Sequence, residues 1–409
     1  MNKTIFKFTV GLCLIVPLIF SSCEEAAVPI EDNDFPMRLD TISFPVIQTV
    51  TYQVPPELGG TEHLYFGEKG GYKYLYNLIR FDSLNTTNLF TFDRYNDSLI
   101  VADSMRLSMR LSVDSLDQNA EFQLRYFPDG GDSVFNETMT HYLNFDKLTA
   151  SPVISSAEMV TDSIDTVKAK VMLNFLMDTT IINVLKDTSH INFNHSFLVE
   201  LKSNSTSEFK FHSSDKLEGE APKLTVFYRK LLSDSVVSDT AEHDFIAIQD
   251  LSVVEPSPIT LDDTTKLAIS VGKGLRSLIK VDMGEWKLPK KGIISTAELI
   301  YNRSQTDTLA GYSILSYPIT VAGDYSMFKV FESDPYTNDT AFGSSASVIN
   351  NVLKINYRKI STEFGRGNKA NHGFKLIPGT NNDPFTTVLF HNLTSNDAYP
   401  IMRVIYVHP

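Results

Sequence analysis

The sequence of this 409-residue chain predicts an all-β protein built from two tandem antiparallel β-sandwich domains. Two observations lead to this prediction. Short runs of alternating, β-branched or aromatic residues follow one another along the chain and are separated by turn residues, as in antiparallel sandwiches. In addition, a series of short motifs occurs twice in the same order, which indicates that one β-rich module has been duplicated in tandem.

The chain begins with a secretory signal. Two lysines precede an apolar run over residues 8–20, which is too short to span a membrane as a helix. Two serines then precede Cys23, and this ending resembles the lipoprotein box of bacteria, in which the cysteine receives the lipid and becomes the mature N-terminus. The resemblance implies that residues 1–22 are a lipoprotein signal peptide and that Cys23 is lipidated. Cleavage elsewhere, leaving Cys23 as an unmodified thiol, is the alternative.

The residues after the cysteine predict a location. Glu24 and Glu25 are similar to the short acidic tag that directs Bacteroidota-type lipoproteins to the outer face of the outer membrane, although a solvated leader would look the same. We therefore expect a lipid-anchored, surface-exposed protein of the cell outer membrane. Residues 23–40 are expected to form an irregular tether between the membrane and the first module.

Cysteine content and charge narrow the class of protein further. The chain has two cysteines, and Cys13 lies inside the signal, so no disulfide can stabilise the folded part. The net charge is −13, and no cluster of basic residues interrupts it. Because nucleic-acid binding requires a basic surface, nucleic acid is excluded as a partner.

The repeated motifs define the two modules. The first copy is predicted over 41–230 and the second over 242–409, with a polar linker over 231–241. The paired motifs are 44–48 and 245–249, 75–82 and 275–282, 194–197 and 371–374, 211–212 and 390–391, and 222–228 and 400–406.

Individual elements can be predicted in order along the chain. Residues 105–113 alternate apolar and polar side chains, as a half-buried strand does. Residues 179–187 and 352–364 are the two stretches that could be helical. In the motif at 75–82 the apolar residues cannot all face one side of a flat strand, so we expect a strand with one buried face and a covered edge, or a strand with a bulge.

The motifs resemble a known family of modules. The run R-S-L-I-K-V-D, the following Leu-Pro and the strand I-S-T-A-E-L are similar to the opening of DNRLRE-type modules. The endings that contain N-H-G-F and N-H-S-F resemble the closing strands of the same modules. The resemblance implies a β jelly roll in each copy, related to family ninety-six carbohydrate-binding modules. The first copy departs from the pattern because it lacks the Leu-Pro.

The sequence carries no recognisable catalytic motif, and we therefore predict that the protein is not an enzyme. The sequence contains no nucleophile elbow and no metalloprotease motif, and it has too few cysteines for a metal cluster. Two histidine pairs recur in the two copies, but each pair lacks the third ligand that a zinc site needs. No cofactor is expected, except that calcium could bind at acidic turns, where ordinary turn structure is the alternative. The residues concerned are His195 with His212, His372 with His391, Asp129 to Asp132, and Asp262 with Asp263.

Aromatic residues are the candidate ligand-binding residues. Trp286, the single tryptophan, lies in the loop that contains the Leu-Pro of the second copy. Tyr72 and Tyr74 alternate on one strand and therefore share a face, where they either stack on a sugar or pack in the core.

The sequence therefore predicts a non-catalytic surface binding protein with polysaccharide as its ligand. The alternative is a structural or assembly lipoprotein whose sandwiches act as spacers or dock a partner protein. Asp-Ser/Thr-apolar triplets are also frequent; they resemble acceptors of O-linked glycans, and side-chain turns are their alternative interpretation.

Overall fold

The computed structural model describes most of the chain after the predicted signal and tether. The described residues are 37–67, 72–81, 84–85, 90–112, 120–126, 135–145, 152–162, 170–187, 195–202, 208–216, 220–233, 236–257, 266–305, 309, 311–393 and 399–409. At 73–75, 84–85, 90, 158–162, 170 and 238 only the backbone is described.

The described residues form twenty-two strands and two α-helices, so the predicted all-β class with antiparallel sheets is confirmed. The first thirteen strands are β1 (Arg38–Gln53), β2 (His63–Phe66), β3 (Tyr72–Phe81), β4 (Leu84–Asn85), β5 (Phe90–Thr91), β6 (Ile100–Arg110), β7 (Glu121–Tyr126), β8 (Val153–Asp162), β9 (Lys170–Met177), β10 (Ser196–Leu201), β11 (Phe209–His212), β12 (Lys223–Ser233) and β13 (Val236–Pro256). Those that follow are β14 (Lys266–Ser270), β15 (Leu275–Val281), β16 (Ile293–Asn302), β17 (Ser313–Pro318), β18 (Ser344–Ile349), β19 (Val352–Asn356), β20 (Phe374–Pro378), β21 (Thr387–His391) and β22 (Ile401–His408). The helices are α1 (Thr180–Leu185) and α2 (Arg358–Arg366).

Eight strands close into a first barrel in the order β10-β3-β13-β12-β6-β9-β8-β7. A ten-stranded sheet runs β1-β22-β16-β19-β18-β17-β20-β15-β14-β21, and β1 also pairs with β15. That extra pairing closes eight of the ten strands into a second barrel. When the strands are matched through the repeated motifs, the order around the second barrel is the order around the first.

The first repeated motif occurs in β1 and in β13, and these two strands are exchanged between the barrels. The N-terminal strand β1 belongs to the second barrel, and β13 belongs to the first. The motif at 44–48 is in β1, which pairs with β22 over Arg38–Pro45 and with β15 over Val46–Gln53. The motif at 245–249 is in β13, which pairs in the same way with β12 and β3. Phe44 packs in the core of the second barrel and Phe245 in that of the first. Residues 41–53, predicted to open the first module, thus complete the second barrel.

Two local predictions differ from the structure. Residues 231–241, predicted as a linker, include the ends of β12 and β13, which pair as a hairpin. The stretch 352–364 is a strand followed by helix α2 rather than one helix. The helix predicted over 179–187 is confirmed as α1. Of the alternating strand predicted at 105–113, residues 105–110 lie in β6, and residue 113 lies outside the described residues.

The repeated motif of β3 and β15 is buried on both faces. Ile79 and Ile279 point into the barrel cores. Leu78 and Leu278 point outward and are fully buried, because the segments 135–145 and 319–336 contribute aromatic side chains that cover them. A covering segment therefore accounts for the apolar residues on the outer face of these strands. The β13–β3 pairing has two register shifts: the extra residue lies in β13 between Ala247 and Gln249, and in β3 between Tyr72 and Leu75.

Among the described residues, no helix is long and apolar enough to cross a membrane.

Candidate functional site

The predicted tyrosine platform lies between the two barrels. Tyr72 is 1% exposed, and its hydroxyl donates a hydrogen bond to the carbonyl of Pro384 at 2.8 Å. Its ring meets the ring of Phe385 edge-on at 4.9 Å. Burial raises the pKa of the Tyr72 hydroxyl. Because neither ring face is open to solvent, Tyr72 has no surface on which a sugar could stack, and the side chain of Tyr74 lies outside the described residues.

Trp286 packs against the core of the second barrel. Its ring meets Phe44 at 5.4 Å and Tyr406 at 5.8 Å, both edge-on. Gly365 of helix α2 lies against the same ring, and a Cβ there would come within 2.7 Å of it. Trp286 is partly exposed, but these contacts tie it to β1, β22 and α2. Its position is that of a packing residue at the rim of the core.

An open cleft of about 690 Å³ lies beside helix α2. It forms where β19 ends and α2 begins, opposite the short 3₁₀ helix that precedes β18. The lining combines six polar or charged side chains with the aromatic rings of Phe342 and Tyr357 and the apolar side chain of Ile360. The lining residues are Phe342, Gly343, Ser344, Asn356, Tyr357, Arg358, Lys359, Ile360, Thr362 and Glu363.

The wall of the cleft is held by hydrogen bonds. Asn356 accepts a bond from the backbone N–H of Arg358 at 2.9 Å, and Arg358 Nε donates to the carbonyl of Ile294 at 2.8 Å. The Lys369 ammonium lies 4.8 Å from the centre of the Phe342 ring. Lys359 is exposed and lines the cleft. The cleft thus offers hydrogen-bond donors and acceptors on a fixed frame, in the size range of small-molecule sites.

This cleft was not predicted from the sequence. Its two walls come from segments about fifteen residues apart in the chain, 342–344 and 356–363, and neither carries a recognisable motif. The one available signal was the helix predicted near 352–364, whose N-terminal turn forms one wall.

A second polar cluster lies in the first barrel. Ligand atoms of Glu137, Asp215 and Asp250 lie within 4.8 Å of one another, which makes these the residues that could hold a metal. Asp250 is buried and accepts bonds from the Ser213 hydroxyl and the Ser214 N–H, both at 2.7 Å. Burial raises the pKa of Asp250 to about 7 and also raises that of Glu137. Protonation or a bound cation would relieve the repulsion between these carboxylates.

The repeated histidines are not gathered into a metal site. Among the described residues, the group of three carboxylates is the one set of three or more potential ligands close enough to share an ion. His195 is buried, and its Nε2 lies 3.1 Å from the carbonyl of Leu185. His212 Nε2 lies 2.9 Å from a carboxylate oxygen of Glu220.

A serine–histidine contact occurs in the first barrel. His63 Nε2 lies 2.9 Å from the hydroxyl of Ser112. Burial, with help from Lys216 and Lys210, lowers the pKa of His63. Among the described residues, no carboxylate is hydrogen-bonded to the His63 ring, so the third member of a catalytic triad is not seen there.

Several predicted sites lie outside the described residues. They are Cys23, the acidic turn at 129–132 and the acidic pair at 262–263.

Comparisons with known proteins give no relative. No family model matches the chain. No curated protein and no solved structure matches it either.

Proposed function

We propose that this chain is a non-catalytic binding protein whose ligand is a polysaccharide. The observation that supports this proposal is the cleft beside helix α2, whose lining combines polar groups with aromatic rings. Amide, hydroxyl, ammonium and carboxylate groups converge on it, and the Phe342 ring at its rim could stack on a sugar. A sugar presents many hydroxyl groups, each able to donate and accept, which matches such a lining. This proposal moves the expected ligand site from Trp286 and Tyr72 to the cleft.

We further propose that each barrel is a jelly roll. A jelly roll nests its eight strands so that the first pairs with the last, the second with the seventh, the third with the sixth and the fourth with the fifth. In the first barrel the strands are, in chain order, β3, β6, β7, β8, β9, β10, β12 and β13, and the pairs β3–β13, β6–β12, β7–β10 and β8–β9 follow this nesting. The pairs β1–β22, β15–β20, β16–β19 and β17–β18 follow it in the second. The nesting supports the fold implied by the resemblance to DNRLRE-type modules.

The proposed cellular setting is the outer membrane, with the barrels anchored through lipid at Cys23 and exposed at the surface. This setting rests on the signal sequence. Its test is mass spectrometry of the chain from its native host. An N-terminal peptide that begins at unmodified residue 23, or at another residue, would contradict the anchor.

The binding proposal is tested by titrating the purified chain against a polysaccharide array and repeating the best ligand with cleft variants. Lys359→Ala and Phe342→Ala should each weaken binding several-fold, because they remove a donor and a stacking surface. Lys354→Ala is the matched control, since this lysine is exposed on β19 but does not line the cleft. Binding that survives both cleft variants would reject the cleft. A chain that binds no glycan at millimolar ligand would favour the alternative, a spacer or docking lipoprotein.

A further inference from the structure

One end of the second barrel exposes an apolar row across three neighbouring strands. Leu39 of β1 is paired with Val407 of β22, and Val407 is paired with Ile293 of β16. Directly paired residues in antiparallel strands project on the same face, so the three side chains lie side by side. Leu39 is 68% exposed and Ile293 is 56% exposed. Met37, two residues before Leu39, is 67% exposed and extends the row. We call Met37, Leu39, Val407 and Ile293 the apolar row.

Basic side chains surround the apolar row. Lys290 and Lys291 form the turn that leads into Ile293, and both are exposed. Arg38 is also exposed at this end of β1, although it projects from the opposite face to its neighbours Met37 and Leu39. The described carboxylate in this part of β1 is Asp40, which is paired with His408 at 2.8 Å. A local excess of positive charge is unusual in a chain whose net charge is −13.

The apolar row lies where the chain enters the barrel. Both β1 and β16 are antiparallel to β22, so they run in the same direction and begin at the same end. The proposed lipid at Cys23 is separated from Met37 by residues 24–36, which are 13 residues. Such a segment spans at most roughly 45 Å when fully extended. The anchored chain therefore holds this end of the barrel near the membrane.

We infer that the apolar row and its lysines rest on a lipid surface. This inference rests on the proposed lipid anchor. Exposed apolar side chains flanked by basic ones are the combination that binds the interface of an anionic membrane. The anchor restricts the barrel to the neighbourhood of the bilayer, so even weak contact by the row would fix its orientation.

The duplicated barrel provides an internal comparison. The equivalent positions in the first barrel are Thr240, Arg229 and Val101, which are paired in the same way. Arg229 is bonded to Asp103 at 2.8 Å, so this row is polar and neutral overall. The apolar row thus occurs in the barrel that the N-terminal strand completes, and its counterpart in the other barrel does not share its character.

The test uses the full mature chain with Cys23→Ala, which removes the lipid and leaves no thiol. Vesicles of phosphatidylethanolamine and phosphatidylglycerol are compared with vesicles of phosphatidylcholine alone. A second variant adds Leu39→Cys as the single thiol, labelled with an environment-sensitive fluorophore. We expect sedimentation with the anionic vesicles and a blue shift of the label on contact. Lys290→Gln with Lys291→Gln should weaken this binding by roughly thirty-fold, at about a factor of five for each basic residue near the surface.

Further variants test membrane contact by the apolar row separately from the lipid anchor at Cys23. Leu232→Asp changes a side chain that is 73% exposed at the tip of the hairpin in the first barrel, and it should not alter vesicle binding. Ile293→Asp should abolish the blue shift at position 39. A lipidated, membrane-bound protein whose label at position 39 stays fully accessible to iodide would overturn the inference and leave the anchor intact. An unmodified Cys23 together with vesicle binding would reject the anchor alone. A dimer that Leu39→Asp dissociates would assign the row to a second copy of the chain and reject the lipid surface.

Discussion

Replacing Asp334 with alanine should destabilise the second barrel strongly, because this carboxylate joins two cations and two neutral hydrogen-bond donors beneath a covering segment. Lys375 Nζ donates to it at 2.8 Å, Arg276 is paired with it, and the Tyr52 hydroxyl donates at 3.2 Å. The backbone N–H of Tyr336 also donates to it at 2.9 Å. The network ties β1, β15 and β20 to the segment that covers Leu278.

The expected magnitude follows from burial. The side chain of Lys375 is 3% exposed, so the variant leaves a buried ammonium without its counter-ion. Breaking a buried ion pair by removing one partner typically costs about 3–5 kcal/mol. Lys375 keeps a bond to the carbonyl of Tyr336 at 2.6 Å, and Arg276 keeps Glu57 at 3.5 Å, so we expect a loss near the lower limit, about 3 kcal/mol.

The assay is urea unfolding followed by the fluorescence of Trp286, which packs in the same barrel and reports on it alone. Asp324→Ala is the matched control, since it removes an exposed ion pair with Lys329 from the same covering segment and should leave the midpoint nearly unchanged. Adding Lys375→Met to Asp334→Ala should recover much of the loss. Equal midpoints for Asp334→Ala and Asp324→Ala would refute the reasoning.

The same network predicts a pH dependence. Burial acts to raise the pKa of Asp334, but Arg276 and Lys375 outweigh it, and the pKa is lowered below 3.8. A group with a lowered pKa in the folded state stabilises the fold above its unfolded pKa and loses that effect as pH falls through the folded pKa. The difference between wild type and Asp334→Ala should therefore persist at neutral pH and disappear only in acid below about pH 4.

Three further predictions follow from other parts of the molecule. Trp286→Ala should lower stability by about 2–3 kcal/mol, measured by circular dichroism, because the ring is partly buried; unchanged stability with lost glycan binding would instead restore it as a ligand residue. Thr41→Cys with Ile405→Cys should form a disulfide on oxidation, seen as faster migration in a non-reducing gel, because β1 pairs with β22; no cross-link would contradict the strand exchange. Because burial raises the pKa of Asp250 from 3.8 to about 7, its stabilising effect is full below about pH 4 and is lost as pH rises through about 7, so urea midpoints of wild type should fall over this range more than those of Asp250→Asn.

Much of the architecture could be predicted from local pattern. Alternation of side chains at 105–113 is enough to define a half-buried strand, since a two-residue period determines which face is apolar. The repeated motifs also predicted that strands of the first copy have equivalents in the second. The apolar residues of β3 on its outer face predicted additional burial, but only the fold shows that residues 135–145 supply the cover, because that contact joins segments distant in sequence.

The exchange of β1 and β13 could not be predicted. Phe44 and Phe245 begin nearly interchangeable motifs, and each side chain would fill the same position in either barrel. When a strand fits equally well into either barrel, its local sequence does not determine which barrel it joins. The loops that connect it to neighbouring strands determine this instead. The β12–β13 hairpin brings β13 directly to the first barrel, which leaves the second to β1.

The ligand site was the least predictable part. Aromatic rings serve equally well as core and as sugar platforms, and Tyr72 and Trp286 carry nothing in their own sequence that separates the two uses. The cleft at Lys359 depends on the angle between the end of β19 and helix α2, which is set by packing of Ile360 and Phe364 beneath the helix rather than by a motif.

The pairing of Arg38 with His408 has a consequence for the timing of synthesis. The two residues are 370 positions apart, so the N-terminal part of β1 can pair with β22 only after almost the whole chain has been synthesised. At about 5–20 residues per second this wait is roughly 20 to 75 seconds. The first barrel can close while the chain is still growing, whereas the second can close only after the chain is finished. A nascent chain that ends before β22 leaves Arg38–Pro45 of β1 without its partner strand. Halves made by cutting near residue 240 would separate each barrel from the strand that completes it.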